Sequence, residues 1–195
     1  MADINDQLIY AVECNNFPLV QQLVANGADV NYRTNYGYTP LHYAKCLDIV
    51  QYLVMNNAYV NCLSGFGNYT PLYFAETLEI VQYLVANGAD VNCQDKYGCT
   101  PLFTAKSLDI MKYLIANGAD VNCQNNNGDT PLHINCYNIN KSKILLEYGA
   151  DMHITNNKNI SAYEMGIKSR NLATRELFEQ YNTLSNGLDI KEPCN

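Results

Sequence analysis

The sequence predicts an all-α solenoid of small helix-turn-helix units with projecting hairpin-like fingers. Two recurring phrases lead there. An anchor block returns every 30 or 31 residues, as Thr39-Pro40-Leu41-His42-Tyr43-Ala44, Thr70-Pro71-Leu72-Tyr73-Phe74-Ala75, Thr100-Pro101-Leu102-Phe103-Thr104-Ala105 and Thr130-Pro131-Leu132-His133-Ile134-Asn135. A weaker copy is Ser161-Ala162-Tyr163-Glu164-Met165-Gly166. A second phrase, Leu23-Val24-Ala25-Asn26-Gly27-Ala28-Asp29-Val30-Asn31, is nearly repeated over 84–92 and 114–122, and loosely over 53–61 and 145–153. A fixed period of this length marks stacked units, none of which buries its apolar face alone.

Each unit reads in order from its anchor. Thr39, Thr70, Thr100 and Thr130 are placed to cap a first helix by accepting from a free backbone N–H. Proline follows at the first helical position, where its missing N–H costs little. Ile49, Val50, Leu53 and Val54 then form an apolar stripe at helical spacing, which predicts a second helix facing its neighbour. That helix stops at Gly27, Gly88, Gly118 and Gly149, residues suited to a left-handed C′ position, and Asn57 stands there in one copy. Between each loop asparagine (histidine in the last copy) and the next anchor lies a finger: residues 32–38, 62–69, 93–99, 123–129 and 154–160.

Together the Thr-Pro-Leu-His-x-Ala anchor and the Gly-Ala-Asp-Val-Asn phrase resemble the ankyrin repeat family, over roughly residues 4–181. The resemblance implies an ankyrin-type solenoid, with antiparallel helix pairs in a curved array and fingers at right angles to them. It implies six units, 1–31, 32–61, 62–92, 93–122, 123–153 and 154–181, the first and last acting as caps. A tail over 182–195 has little apolar period.

The chain departs from the family in a regular way. The family's anchor threonine precedes the key leucine of the second helix by about 17 residues. Here Thr39 to Leu53, Thr70 to Leu84 and Thr100 to Leu114 are each 14, and Thr130 to Leu145 is 15. The shortfall is nearly one helical turn and falls just after the anchor alanine. The first helix of the three middle units is therefore expected to be a turn or two long. The two ends, Ala11 to Val20 and Ser161 to Phe178, read as full length.

Composition narrows the function. A net charge of −7 over 195 residues argues against nucleic acid and against an anionic membrane surface. No apolar run approaches the length of a membrane span. The acidic start Met1-Ala2-Asp3-Ile4-Asn5-Asp6 has no signal-peptide core, so the expected compartment is the cytoplasm, or a host cytosol if the chain is exported. Cys62, Cys93 and Cys123 share one repeat position. Helical layers lie about 8–10 Å apart, beyond the roughly 7 Å that a disulfide spans, so these read as reduced thiols. His42, His133 and His153 are too scattered for a zinc site. Asn68-Tyr69-Thr70 and Asn159-Ile160-Ser161 match the glycosylation pattern but read as finger residues ahead of a helix cap.

No catalytic grouping, phosphate loop or nucleophile elbow occurs, so neither an enzyme, a cofactor nor a metal is expected. The resemblance gives His42 and His133 the task of tying finger to helix. The fingers carry residues the fold does not require. The candidate partner-binding set is Arg33, Tyr36, Tyr38, Leu63, Phe66, Tyr69, Lys96 and Tyr97, with its five aromatic rings at the centre. Exposed Tyr and Phe are favoured interface anchors; the alternative is that these rings merely pack on neighbouring fingers. The second finger holds one extra residue, Asn61 to Thr70 being 9 where the others are 8, and should bulge. Lys45, Glu76 and Lys106 occupy one position after each anchor alanine and read as a solvated edge.

The expected function is that of a monomeric protein-interaction module. The Asn-, Tyr- and Ile-rich composition suits an AT-rich genome, which by analogy raises a microbial or viral effector acting on a host protein. The alternatives are a regulatory subunit or inhibitor blocking a partner enzyme, and an adaptor using the tail. In the family such loop asparagines can be hydroxylated by a 2-oxoglutarate-dependent asparaginyl hydroxylase, so the resemblance makes Asn31, Asn92 and Asn122 candidates, each with Leu eight residues earlier and Asp-Val just before it; the alternative is that they only hold the loop by local hydrogen bonds.

Overall fold

The computed structural model describes residues 3–186 and divides after Ala119 into two compact units. The first holds α1 (Ile4–Glu13), α2 (Phe17–Ala25), α3 (Pro40–Tyr43), α4 (Leu47–Met55), α5 (Pro71–Phe74), α6 (Leu78–Ala86), a 3-10 turn (Pro101–Thr104) and α7 (Leu108–Ala116). The second holds α8 (Pro131–Asn135), α9 (Ile139–Glu147), α10 (Ala162–Ile167) and α11 (Leu172–Asn186). Among the described residues the only bridge of β type outside a strand joins Thr155 to Ser161. The all-α helix-pair solenoid is the observed architecture.

The shortened first helices are present. α3, α5 and the 3-10 turn have four residues each. Each stops because the anchor alanine leaves helical geometry: ψ is 118° at Ala44, 121° at Ala75 and 123° at Ala105. α1 has ten residues, in keeping with a full-length N-terminal end. The C-terminal end differs from expectation. α10 has only six residues, and the length goes into the fifteen-residue α11, which runs to Asn186 and so into the stretch read as a tail. Gly166 lets α11 lie close, since a Cβ there would meet the Phe178 ring at 2.4 Å. Residues 187–195 of that tail lie outside the described residues.

Anchor chemistry follows the fourth anchor residue. Where it is histidine, a reciprocal capping box forms between Thr39 and His42 and between Thr130 and His133. The N–H of the fourth residue also closes the turn onto the threonine carbonyl, from His42 to Thr39 (2.9 Å), Tyr73 to Thr70 (3.0 Å) and Phe103 to Thr100 (3.0 Å).

The long helices bury a three-residue stripe: Ile49, Val50 and Leu53 in α4, Ile80, Val81 and Leu84 in α6, Ile110, Met111 and Leu114 in α7. Val54, expected on the stripe, is half-buried. Anchor leucines Leu41, Leu72 and Leu102 complete this core, and Leu132, Leu145 and Phe178 form that of the second unit. Each such side chain contributes about 1.5–3 kcal/mol by leaving water. Every nine-residue helix ends in a Schellman motif. In α2, Ala28 N–H reaches Leu23 C=O (3.0 Å) and Gly27 N–H reaches Val24 C=O (3.0 Å), with φ of 93° at Gly27. Asn57 takes the same left-handed place at φ 67°.

The loop asparagines join one repeat to the next. Asn61 Nδ2 donates to Gly88 C=O (2.8 Å), while its Oδ1 accepts from Asp90 N–H (2.9 Å). Asn31 bridges Asn57 C=O and Tyr59 N–H in the same way, and Asn122 bridges Gly149 C=O and Asp151 N–H. At the first loop, Asn5 of α1 supplies the acceptor for Asp29 N–H (2.8 Å). Replacing Asn61 with Ala removes two exposed hydrogen bonds to the following loop and leaves their backbone groups to water. Urea denaturation should show a loss of about 1 kcal/mol. One buried hydroxyl, Thr174 Oγ1, has no hydrogen-bond partner among the described residues. A valine of similar shape removes that stranded group. Thr174→Val should leave stability unchanged or raise it by about 1 kcal/mol in the same assay.

Candidate protein-binding surface

Each finger is a small closed loop built by one short polar side chain. In the third finger, Asp95 Oδ1 accepts from the N–H groups of Tyr97 and Cys99, both at 2.8 Å. Asn125 does the same for Asn127 and Asp129, and Asn156 for Lys158 and Ile160. Thr34 and Ser64 hydroxyls accept from Tyr38 and Tyr69 N–H in the first two fingers. Glycine or asparagine takes the left-handed position just before the last finger residue: Gly37, Asn68, Gly98, Gly128 and Asn159. That is the local role of the two asparagines in the glycosylation-like triplets.

Neighbouring fingers are laced together through their backbones. Gly65 N–H donates to Tyr36 C=O, and Lys96 N–H donates to Gly67 C=O, each 2.9 Å. In the second unit Asn157 N–H donates to Asn127 C=O at 2.9 Å. The approach is close enough that a Cβ on Gly37 would sit 2.4 Å from Gly65 N. Arg33 adds a side-chain tie, its guanidinium donating to Cys62 Sγ and to Leu63 C=O.

The candidate residues separate into two groups. Tyr36, Phe66 and Tyr97 stand out on three successive fingers, 63%, 68% and 55% exposed, with Leu63 beside them at 41%. The Tyr36 and Phe66 rings meet at 5.8 Å, and Lys96 Nζ lies 4.9 Å from the Tyr97 ring centre. Gly67 is buried under the Tyr69 ring, where a Cβ would clash at 2.0 Å, and Phe66 lies at the tip.

Tyr38 and Tyr69 are half-buried at the finger bases. Tyr38 packs edge-on against His42 (5.4 Å), Tyr43 (5.6 Å) and Phe74 (5.8 Å). Tyr69 packs on Tyr73 (4.5 Å) and Phe74 (5.6 Å). Burial holds the hydroxyls of Tyr43, Tyr69 and Tyr73 above the usual phenol range. Sequence reasoning missed this aromatic floor, although aromatic residues at the fourth and fifth anchor positions (Tyr43, Tyr73, Phe74) were its signal. It also missed Met55 and Tyr59, 76% and 67% exposed at the end of α4 and in the loop beyond.

Asn31, Asn92 and Asn122 lie in the inter-repeat clamps, Asn92 Nδ2 donating to Gly118 C=O at 2.8 Å. Burial pushes the Cys136 thiol up to about 11, which keeps it protonated and unreactive at neutral pH. Among the described residues no group of His, Cys, Asp and Glu is arranged to hold a metal ion. None of the helices described is long and apolar enough to cross a membrane.

Finger loops laced to their neighbours within each unit and carried on helix pairs define a repeat solenoid. Residues 2–64 and 72–156 match the model of ankyrin repeats in three copies, and the chain belongs to the ankyrin repeat family. It is also 37% identical over 65 residues to FPV233 of fowlpox virus (strain NVSL), a protein that carries the name of an ankyrin repeat protein. That match covers 31% of this chain and 13% of the viral protein. Ankyrin repeats are in general protein–protein interaction modules, and the fold is not an enzyme class.

His42 fixes how finger and helix meet. Its Nδ1 accepts from Thr39 N–H (3.0 Å), so Nε2 carries the proton and donates to Tyr69 C=O (3.0 Å). Burial lowers its affinity for a second proton below the usual imidazole value, and the Arg33 charge adds to this. The folded state therefore binds fewer protons than the unfolded one at acidic pH. The stability His42 contributes is complete above the unfolded value of about 6.5 and is lost as pH falls through the lowered folded value. Denaturation midpoints should drop between pH 7.5 and 5, and His42→Gln should flatten that slope.

Proposed function

We propose that this chain binds another protein through the ridge of Tyr36, Phe66 and Tyr97, with Leu63 beside it. The observation that carries the reading is the exposure of large rings on three successive fingers that are tied to one another. The finger backbones are held by internal hydrogen bonds, so the ridge is pre-organised and loses little entropy on binding. A standard interface covers about 800 Å² on each partner, and hot spots are enriched in such aromatic anchors. Arg33 supports the ridge by holding the first two fingers in register.

The proposed form is a monomer acting in a cytoplasm, without cofactor or catalysis. The likeness to a fowlpox virus protein supports a viral or microbial effector that meets a host protein. Blocking a partner's active site is one way such a ridge acts, and stoichiometric loss of a partner enzyme's activity would mark it.

A pull-down from candidate host cytosol tests the reading, with wild type beside the Tyr36→Ala, Phe66→Ala, Tyr97→Ala triple variant. The three rings are exposed, so helicity by circular dichroism should be unchanged. A partner held by wild type should be lost by the variant, each anchor being worth about 2 kcal/mol or more if it is a hot spot. A partner held equally by both would remove the ridge from recognition.

A further inference from the structure

At the foot of the first finger lies a cavity of about 190 Å³, lined by Tyr38, His42, Tyr43, Phe74, Lys45 and Glu76. Four of its six walls are rings. The Tyr38 plane is turned 79°, 60° and 73° from those of His42, Tyr43 and Phe74, so the rings enclose space on several sides rather than stacking flat. Lys45 and Glu76 are exposed at the rim, each one residue past its anchor alanine. The shortened first helices put them there. With α3 ending at Tyr43 and α5 at Phe74, the chain turns away directly beside the rings.

We propose that this cavity receives one arginine side chain from the partner protein. The inference rests on the protein-binding reading above and adds the chemistry of one partner residue. Aromatic faces carry the negative end of the ring quadrupole and attract a cation within about 6 Å. A guanidinium is planar and weakly hydrated, and it stacks on such faces while its N–H fork suits a carboxylate. Glu76 is the carboxylate at the mouth. Charge complementarity points the same way, since residues 1–119 hold ten acidic and five basic side chains. Burial keeps His42 neutral at pH 7.5, and the Arg33 cation that acts on it is engaged with Cys62 Sγ and Leu63 C=O on the finger. Lys45 opposes the guest from an exposed position, and its flexible stem lets it swing outward. A leucine or proline guest would use the rings equally well but would be indifferent to both rim charges.

Titration of the purified chain with N-acetyl-arginine amide at pH 7.5, followed through the NMR ring resonances of Tyr38, Tyr43 and Phe74, tests this without the partner. The expected result is a saturable shift. Affinity should weaken about two- to fivefold in Glu76→Gln, as for an exposed ion pair, and tighten in Lys45→Gln. Both variants alter exposed side chains and should keep the wild-type spectrum elsewhere. Equal or tighter binding of N-acetyl-leucine amide, or no response to either rim variant, would overturn the arginine assignment. Absence of any saturable shift would overturn the cavity as a site. Either failure would leave the finger ridge standing, because the triple variant does not touch the cavity; loss of the ridge would not alter the titration.

Discussion

The asparagine amide is the interaction on which the stack depends. A loop that leaves a helix leaves backbone N–H and C=O groups without intrahelical partners, and those beside a neighbouring repeat can be bonded across to it. One asparagine side chain carries both a donor and an acceptor, so a single residue satisfies both groups of the next loop. Asn31 and Asn61 do this in the first unit and Asn122 in the second. Their partners, the carbonyl of the left-handed C′ residue and the N–H two residues on, exist only because the Schellman turn presents them. Helix ending and repeat joining are thus one device. Asn5 shows the same need met by a different element, since α1 offers its side-chain oxygen to the first loop.

Shortening the first helices shifts the source of cohesion. A four-residue helix presents one apolar turn, and Leu41, Leu72 and Leu102 are buried there with the proline before each. The remaining contact comes from rings. Tyr38, His42, Tyr43, Tyr69, Tyr73 and Phe74 form a continuous aromatic layer under the first two fingers. Rings serve this position well because they bury a large area with few rotatable bonds and hold fixed edge-to-face geometry. The same layer shapes the cavity between Lys45 and Glu76, so a feature that compensates for lost helix also creates a recess.

Much of this was legible in the residues. The period, the Thr-Pro start, the glycine stops and the shortened spacing each reflect a local constraint, and local constraints leave fixed marks at fixed intervals. The bulge of the second finger was legible as one surplus residue. Two expectations met a tertiary influence instead. α10 is shorter than a full-length end and α11 longer, and the Phe178 ring of α11 lies directly against Gly166 of α10. The five finger aromatics looked alike as text, yet Tyr38 and Tyr69 turn down into the floor while Tyr36, Phe66 and Tyr97 stay out.

The sequence by itself determined the repeat unit and the places where most helices begin and end. Those are properties of short windows, and they need no neighbour. Tertiary structure alone decided which rings stand exposed and which face the core. It also made Arg33 a tie between fingers and gave the rim charges an aromatic recess to guard. These outcomes turn on where the following repeat lands, some thirty residues further along the chain, and no window of sequence encodes the side on which a ring meets it.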